Sequence, residues 1–393
     1  MKILLFSSLY PDKNNPRHGI FVEQRLQQLL RYSNVIEVTV VAPSPIRPTI
    51  NKILFNRAIF SSKQDTYNAI NIYRPKFISI PFLGKYINPI IIFLASYYTI
   101  KKLLSESSFD LIDAHYFYPD GVAAAFIGKA FNLPVVITAR GTDINVFPKY
   151  FIPRKYIQWA AKYASAIITV SEALRQKLIE LKVPEYKITT LINGVDLNLF
   201  KMNSSLTKPD AITNINKYIL MVGNLVNEKR QDLAIRSLKH LEDISLVLVG
   251  DGPNKKKLEQ LCHELGVYSR VKFIGNISQK ELISYYSNAS LLLLLSEREG
   301  MPNVVLEALA CGLYVIATNV GGVPEILTEN EVGTILDDNS ISSITKAVDF
   351  HLNIKHSKEY IRTFSQSLGW EHTNKSQLKI FSTISRGNNG FRS

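Results

Sequence analysis

Two glutamates, Glu299 and Glu307, bracket a stretch whose residue types could hold a sugar joined to a phosphate: Glu299-Gly300-Met301-Pro302-Asn303-Val304-Val305-Leu306-Glu307. The apolar run before it, residues 291–295, reads as a fully buried strand. Pro302 suits the first turn of a helix, where a missing N–H costs nothing. Val304, Val305, Leu306, Ala308, Leu309 and Ala310 then continue that helix until Gly312 can end it. A helix N-terminus at the carboxyl end of a parallel strand is an anion site, with N–H groups and a positive dipole end directed outward. Gly300, Met301, Pro302, Asn303 and Val304 are therefore candidate donor contacts around the phosphates. Glu307 lies roughly 5–8 Å into the helix by its rise, where a phosphate-linked ribose could sit. Glu299 precedes the helix and is placed to hold a second polyol. Carboxylates on either side of a phosphate site point to a sugar-nucleotide. The competing reading is a solvated glutamate on a helix face, since two glutamates at this spacing carry little weight without their context.

The elements that must position these groups alternate between strand-like and helix-like patterns along the whole chain, which predicts an α/β fold with parallel sheets. In the first half, strands are expected near 2–7, 35–41, 110–114, 134–138, 165–170 and 188–192. In the second half they are expected near 218–223, 245–250, 271–274, 291–295 and 313–317. The polar segment 201–217 is a domain boundary by composition, giving units 1–200 and 201–370. A helical pattern around Trp370 continues to the end.

The run 296–327, including Ala310-Cys311-Gly312 and Gly321-Gly322-Val323-Pro324-Glu325-Ile326, resembles glycosyltransferase family 4. Its members are retaining transferases of the GT-B fold, with two glutamates separated by seven residues. The resemblance covers most of the chain and is densest over 218–330. It implies two Rossmann-like domains whose parallel sheets face across a cleft, the first on the acceptor side and the second binding the nucleotide-sugar. It also implies that the helix of about 371–393 returns to pack on the first domain. Residues 218–229 resemble the family's second phosphate loop, in which an Arg directly after the Gly and a later Lys clamp the diphosphate. Lys229 matches the Lys, whereas Asn224 stands at the Arg position, so Lys229 is expected to carry more of the charge, with Arg230 as a candidate substitute. Gly250-Asp251-Gly252-Pro253 matches a family turn, and the loop Gly275-Asn276-Ile277 falls where the family places the nucleotide base. Ser278-Gln279-Lys280-Glu281 reads as a structural capping box.

In the first half, the resemblance places Gly19 in a loop that lets backbone approach the donor phosphates, a simple turn being the alternative. His115 falls in a segment near the acceptor or the sugar, with a packed or capping histidine as the alternative. In Thr138-Ala139-Arg140-Gly141-Thr142-Asp143, Arg140 replaces a His that contacts the transferred sugar in many members. Arg140 cannot serve as a general base but could bind a phosphate or carboxylate. Asp143 remains to orient a hydroxyl, and this version resembles cell-surface polysaccharide transferases. The catalytic candidates are thus Glu299, Lys229 and Asp143.

The sequence contains no Asp-x-Asp and no His/Cys cluster, so no metal site and no cofactor are expected. Charge on the leaving group then falls to Lys229, helix termini and backbone amides. Cys262 and Cys311 form no disulfide framework and fit a reducing cytosol. The net charge of +13 is uneven: residues 1–200 carry 24 Lys+Arg against 13 Asp+Glu, whereas 201–393 carry 22 against 20. A basic first half suggests an anionic bilayer or a phosphorylated lipid acceptor rather than nucleic acid, for which no binding motif is visible. The apolar segment 89–100 is shorter than a membrane span and reads as a buried helix, with an interfacial helix as the alternative. The resemblance, together with these residues, thus implies a metal-independent, retaining hexosyltransferase, cytoplasmic or peripheral on the inner face of the membrane. Its partners are a nucleoside-diphosphate sugar, expected to be a UDP-sugar, and a glycan or polyprenyl-linked acceptor. The competing classes are a catalytically silent sugar-nucleotide-binding protein and a soluble sugar-phosphate glycosyltransferase of the same fold. An epimerase is disfavoured, because its acid/base residues are not supplied.

Overall fold

The structure, a computed structural model, describes residues 1–12, 15–46, 62–67, 70–80, 82–202 and 207–389. It divides into one unit of Met1–Ile192 with Glu371–Ser393 and a second of Asn193–Trp370.

The first unit is built on one sheet. Its strands are β1 (Lys2–Phe6), β2 (Glu37–Val41), β3 (Ser44–Ile46), β4 (Ser62–Tyr67), β5 (Ile70–Ile78), β6 (Leu111–His115), β7 (Val135–Ala139), β8 (Ala166–Thr169) and β9 (Ile188–Thr190). They lie in the order β3-β5-β2-β1-β6-β7-β8-β9, and β4 pairs antiparallel with β5 while the other pairings are parallel. Every residue of β6 and β7 is buried, because helices cover both faces of a parallel sheet and leave no solvent side. The chain leaves β1 toward β2 and returns to β6 on the other side, so the strand order reverses between β1 and β6. The helix Trp370–Asn389 closes one face of this unit: its Phe381 is fully buried against Ile3, Leu29, Leu111, Val136 and Ile168. Burying such a ring contributes about 1.5–3 kcal/mol.

The second unit has six parallel strands: β10 (Tyr218–Val222), β11 (Ser245–Val249), β12 (Val271–Gly275), β13 (Leu291–Leu294), β14 (Val315–Thr318) and β15 (Gly333–Leu336). Their order is β12-β11-β10-β13-β14-β15, with the reversal between β10 and β13. Leu291-Leu292-Leu293-Leu294 is buried throughout, as a central parallel strand must be.

Each strand expected from the sequence is present, and β3, β4, β5 and β15 are additional. The segment 89–100 departs from expectation. It lies in the helix Gly84–Glu106, which buries Ile92, Ser96, Ile100 and Leu103 but exposes Ile90, Leu94 and Tyr98. The buried-helix reading therefore holds for one face only. Among the described residues no helix is long and apolar enough to cross a membrane.

Candidate active site

Open α/β sheets bind ligands beyond the carboxyl ends of their strands, at the reversal of strand order. In the second unit that point is flanked by the segments that follow β10 and β13. The chain leaves β10 through Gly223, turns at Asn227–Lys229, takes a left-handed conformation at Arg230 (φ 50°) and enters the helix Gln231–Leu238. The chain leaves β13 through Ser296-Glu297-Arg298-Glu299 and enters the helix Asn303–Ala310.

These segments are stitched together by opposite charges. Lys229 Nζ donates to Glu299 Oε1 at 2.5 Å, Arg230 Nη1 to Glu297 Oε1 at 3.0 Å, and Arg298 Nη2 to Glu228 Oε1 at 2.5 Å. The Glu297 N–H donates to the Glu228 carbonyl at 2.8 Å. Glu-Lys-Arg on one loop thus meets Glu-Arg-Glu on the other. The Arg230 and Arg298 pairs face solvent, where such contacts contribute about 0–1 kcal/mol each. The Lys229–Glu299 pair is more enclosed, with side chains 26% and 13% exposed. Backbone packing holds the Glu299 loop, since a Cβ on Gly321 (φ 54°) would lie 2.4 Å from the Glu299 carbonyl oxygen. The Gly322 N–H donates to the Gly300 carbonyl at 2.8 Å.

Pro302 stands one position earlier than expected: it precedes the helix, which begins at Asn303. Gly300, Met301 and Pro302 are buried, while Asn303 and Val304 are half-buried in the first turn. The Asn303 Oδ1 accepts from Asn193 Nδ2 at 2.9 Å. Glu307 is buried further along the same helix. Its Oε2 accepts from the Tyr286 hydroxyl at 2.9 Å and its Oε1 from Gln279 Nε2 at 3.4 Å. Burial pushes its carboxyl up to about 7, against the pull of these two donors. Tyr286 and Gln279 belong to the helix Gln279–Asn288, which starts with the expected Ser278–Glu281 capping box. Ile277 is half-buried in the loop between β12 and that helix, and the Gly275 carbonyl accepts from the Gly250 N–H at 2.8 Å. Asn224 is exposed, with its carbonyl accepting from Gln231 Nε2 at 3.0 Å. The Arg230 guanidinium pairs with Asp232 and Glu297.

The reversal point of the first unit is occupied differently. His115, at the end of β6, is buried; its Nε2–H donates to Asp113 Oδ2 at 3.2 Å and its Nδ1 accepts from Arg140 Nη2 at 2.7 Å. Burial keeps the imidazole below its ordinary pKa, hence neutral, with Asp113 opposing that shift. Arg140 is also buried, 5.3 Å from the centre of the Phe21 ring, and burial with Arg25 nearby lowers its pKa to about 9. Asp113 Oδ2 further accepts from Gln377 Nε2 at 3.4 Å, and Gln377 Oε1 accepts from Arg25 Nε at 2.8 Å. Asp143, the third catalytic candidate, serves the backbone of its own loop. It is fully buried and accepts from the N–H groups of Phe117 (2.6 Å), Arg140 (3.0 Å) and Gly141 (2.6 Å), so both of its oxygens serve the loop. Gly19 (φ 67°) has a packing reason as well, since a Cβ there would lie 2.2 Å from the Leu9 carbonyl.

Sequence reasoning missed Tyr286 and Gln279 as partners of Glu307, and Glu228 and Arg298 as partners across the two loops. It also missed Asp120, whose Oδ2 accepts from the Ser8 N–H at 2.7 Å and from the Ser8 hydroxyl at 2.8 Å. The alternating charges at 228–230 and 297–299 were the available signal for the loop pairing; nothing local pointed to the others. Among the described residues, no three His, Cys, Asp or Glu side chains are gathered to hold a metal ion.

Two parallel-sheet Rossmann-like units are the architecture of the GT-B fold. The same fold is found in the Anabaena protein HepE in complex with UDP (20% identity, 98% of this chain, 100% of that one, TM-score 0.72). Sucrose-phosphate synthase from Thermosynechococcus elongatus also shares it (18%, 98% and 99%, TM-score 0.78). Residues 21–199 match the model of Glycosyltransferase Family 4 and residues 207–367 that of Glycosyl transferases group 1. A putative teichuronic acid biosynthesis glycosyltransferase of Bacillus subtilis is 30% identical over 84% of each chain. The N-acetyl-alpha-D-glucosaminyl L-malate synthase of Bacillus anthracis is 28% identical over 68% of this chain and 71% of its own. The chain belongs to glycosyltransferase family 4 and is a glycosyltransferase.

Proposed function

We propose that the chain moves a hexosyl unit from a UDP-sugar to a lipid-linked or growing cell-surface glycan, with retention of configuration and no metal ion. The observation that carries this reading is the Lys229–Glu299 pair at the reversal between β10 and β13, with Glu307 in the helix that follows the Glu299 loop. UDP in the HepE structure and the glycan-building relatives support the donor and acceptor classes. The second unit is the donor domain in this reading, and the first unit, with its returning helix, serves the acceptor.

Donor binding exchanges partners. The diphosphate takes the Lys229 ammonium, which frees the Glu299 carboxylate to accept from hydroxyls of the transferred sugar. Glu307 accepts from ribose hydroxyls, and N–H groups at the start of the helix Asn303–Ala310 face the phosphates. As the glycosidic bond breaks, negative charge grows on the leaving oxygen beside Lys229 and positive charge on the sugar beside Glu299. The acceptor oxygen bonds to the anomeric carbon on the face the diphosphate leaves, and the leaving phosphate oxygen takes the acceptor proton, which gives retention without an enzyme nucleophile. His115 and Arg140 act through their shared hydrogen bond, shaping the acceptor side rather than serving as bases.

The uneven basic charge supports a further part of the proposal, in which the enzyme works as a peripheral protein on the inner face of the membrane. The test is to incubate the purified protein with a panel of nucleotide-sugars, with and without EDTA, and to measure nucleoside diphosphate release. Release from one UDP-sugar that persists in EDTA is expected. Neither release nor binding of any donor would sink the enzyme reading, and loss on chelation restored by Mg²⁺ or Mn²⁺ would sink the metal-independent one.

A further inference from the structure

We infer that the first unit docks on an anionic lipid bilayer through a tip formed by Phe82, Leu83, Tyr150, Phe151 and Ile152. The inference rests on the peripheral-membrane reading above and gives it a surface.

Two chain segments build the tip. One is the turn that enters the helix Gly84–Glu106, and the other is the start of the helix Phe151–Tyr163. They touch through aromatic rings: Tyr86 and Tyr150 meet edge to face with centres 6.4 Å apart, and the Lys85 ammonium lies 4.2 Å from the centre of the Tyr150 ring. Around this contact the apolar side chains point outward. Phe82 is 92% exposed, Phe151 70%, Leu83 56% and Ile152 46%. Single exposed apolar residues are ordinary, but four of them on two short segments that touch mark an interaction surface. Phe82 also sits at φ 62°, a conformation that costs a bulky side chain energy. The exposed surface continues along the first helix through Ile90, Leu94 and Tyr98, at four-residue spacing, while the polar Ser96 faces inward. A helix that is apolar on its outer as well as its inner face is built to be covered on both.

Charge identifies the cover. Residues 80–106 and 147–163 carry seven lysines or arginines and a single acid, Glu106 at the far helix end. Lys85, Lys149, Arg154 and Lys155 lie in the segments that form the tip. A second copy of the chain docking by two-fold symmetry would set this basic surface against itself, which costs energy. An anionic leaflet satisfies both features, with acyl chains receiving the apolar side chains, tyrosines at the headgroup level and lysines on the lipid phosphates.

The test uses the full chain with vesicles of phosphatidylcholine alone and of phosphatidylcholine mixed with phosphatidylglycerol. Wild type should sediment with the anionic vesicles, less so at high salt. The triple variant Phe82→Ser, Leu83→Ser, Phe151→Ser should lose at least about tenfold in vesicle affinity, because acyl-chain insertion scales with apolar area. Its nucleoside diphosphate release without vesicles and its thermal unfolding should match wild type. Lys149→Glu with Lys155→Glu should abolish the preference for anionic over neutral vesicles. Tyr186→Ser, at an equally bare aromatic elsewhere in the unit, should change nothing. If wild type binds neither vesicle, both the membrane reading and this surface fail. If wild type binds and the triple variant binds equally well, the membrane reading survives and the surface is wrong. If the triple variant alters self-association but not vesicle binding, the tip is a contact between copies and the inference is overturned.

Discussion

The two units share an architecture and treat its reversal point in opposite ways. In the first, His115, Arg140, Asp113 and Gln377 form a buried chain of hydrogen bonds, and Asp143 is committed to three backbone N–H groups. In the second, Lys229 and Glu299 hold each other in a partly open position. A buried polar network gives rigidity through its internal hydrogen bonds, here with Asp113 Oδ1 left without one, and removing a member leaves a further desolvated group unpaired. An ion pair that water can reach costs little to open, so a ligand with the right charges can replace each partner. In the proposed reading, ligand exchange falls to the second unit and shape to the first.

The sharpest way to break it is Lys229→Ala. In the proposed reaction Lys229 faces the charge that grows on the leaving diphosphate, so turnover should fall by about 10²–10³, as for loss of an oxyanion donor. Single-turnover kinetics with saturating donor measures this. Wild-type turnover would move the phosphate site away from the β10–β13 reversal. Asn224→Arg in the Lys229→Ala background should restore part of the loss by returning a cation to the loop.

Next in size is the division of labour between the glutamates. Glu307→Gln should weaken sugar-nucleotide and free nucleoside diphosphate alike, a loss that appears in KM. Glu299→Gln should spare diphosphate affinity and lower kcat, because its carboxylate acts more strongly in the transition state. Each charged hydrogen bond is worth about 1.5–3 kcal/mol, so the changes should span about tenfold to a hundredfold. The reverse pattern, seen by calorimetry with UDP beside steady-state kinetics, would turn the donor end for end along the helix.

Asp143→Asn tests the other half of the comparison. An amide there must place an N–H₂ against backbone donors in a dry site, which should cost about 1–3 kcal/mol of stability. Urea unfolding should show the loss, while kcat per folded molecule stays near wild type. Wild-type stability with a large loss of kcat would mean that Asp143 reaches substrate after all.

These cases also show what could be read before folding. Buried strands such as Leu291-Leu292-Leu293-Leu294 announce themselves by apolar runs, and Glu299 and Glu307 by the helix between them. β4 is polar Ser-Lys-Gln-Asp-Thr-Tyr, β5 is interrupted by Asn71 and Pro75, and β15 is four residues long, so pairing rather than composition makes them strands. The contact between 228–230 and 297–299 depends on β10 and β13 being neighbours, which no local pattern encodes. Asp143 shows the same limit: an aspartate in a loop looks available in sequence, and only its surroundings show it buried.

The smallest effect sharpens the comparison inside the second unit, at Glu307. Burial raises its carboxyl from 4.5 to about 7, despite hydrogen bonds from Tyr286 and Gln279. The folded protein therefore binds this proton more tightly than the unfolded chain does. Stability declines as pH rises from about 4.5 to about 7, and the cost is fully present above that range. Glu307→Gln removes the buried charge and retains an acceptor for the Tyr286 hydroxyl. The variant should gain on the order of 1 kcal/mol at neutral pH and nothing at pH 4, since a unit of pKa corresponds to about 1.4 kcal/mol and relaxation offsets part of it. Wild-type affinity for UDP should fall below pH 7, as protonation takes from Glu307 the charge that ribose hydroxyls would meet. Unfolding of wild type and Glu307→Gln across this pH range, beside UDP titrations, measures both. Equal stabilities at every pH, with UDP affinity flat through pH 7, would mean that Glu307 is already satisfied in the way Asp143 is, and the contrast between the two units would narrow to Lys229 and Glu299 alone.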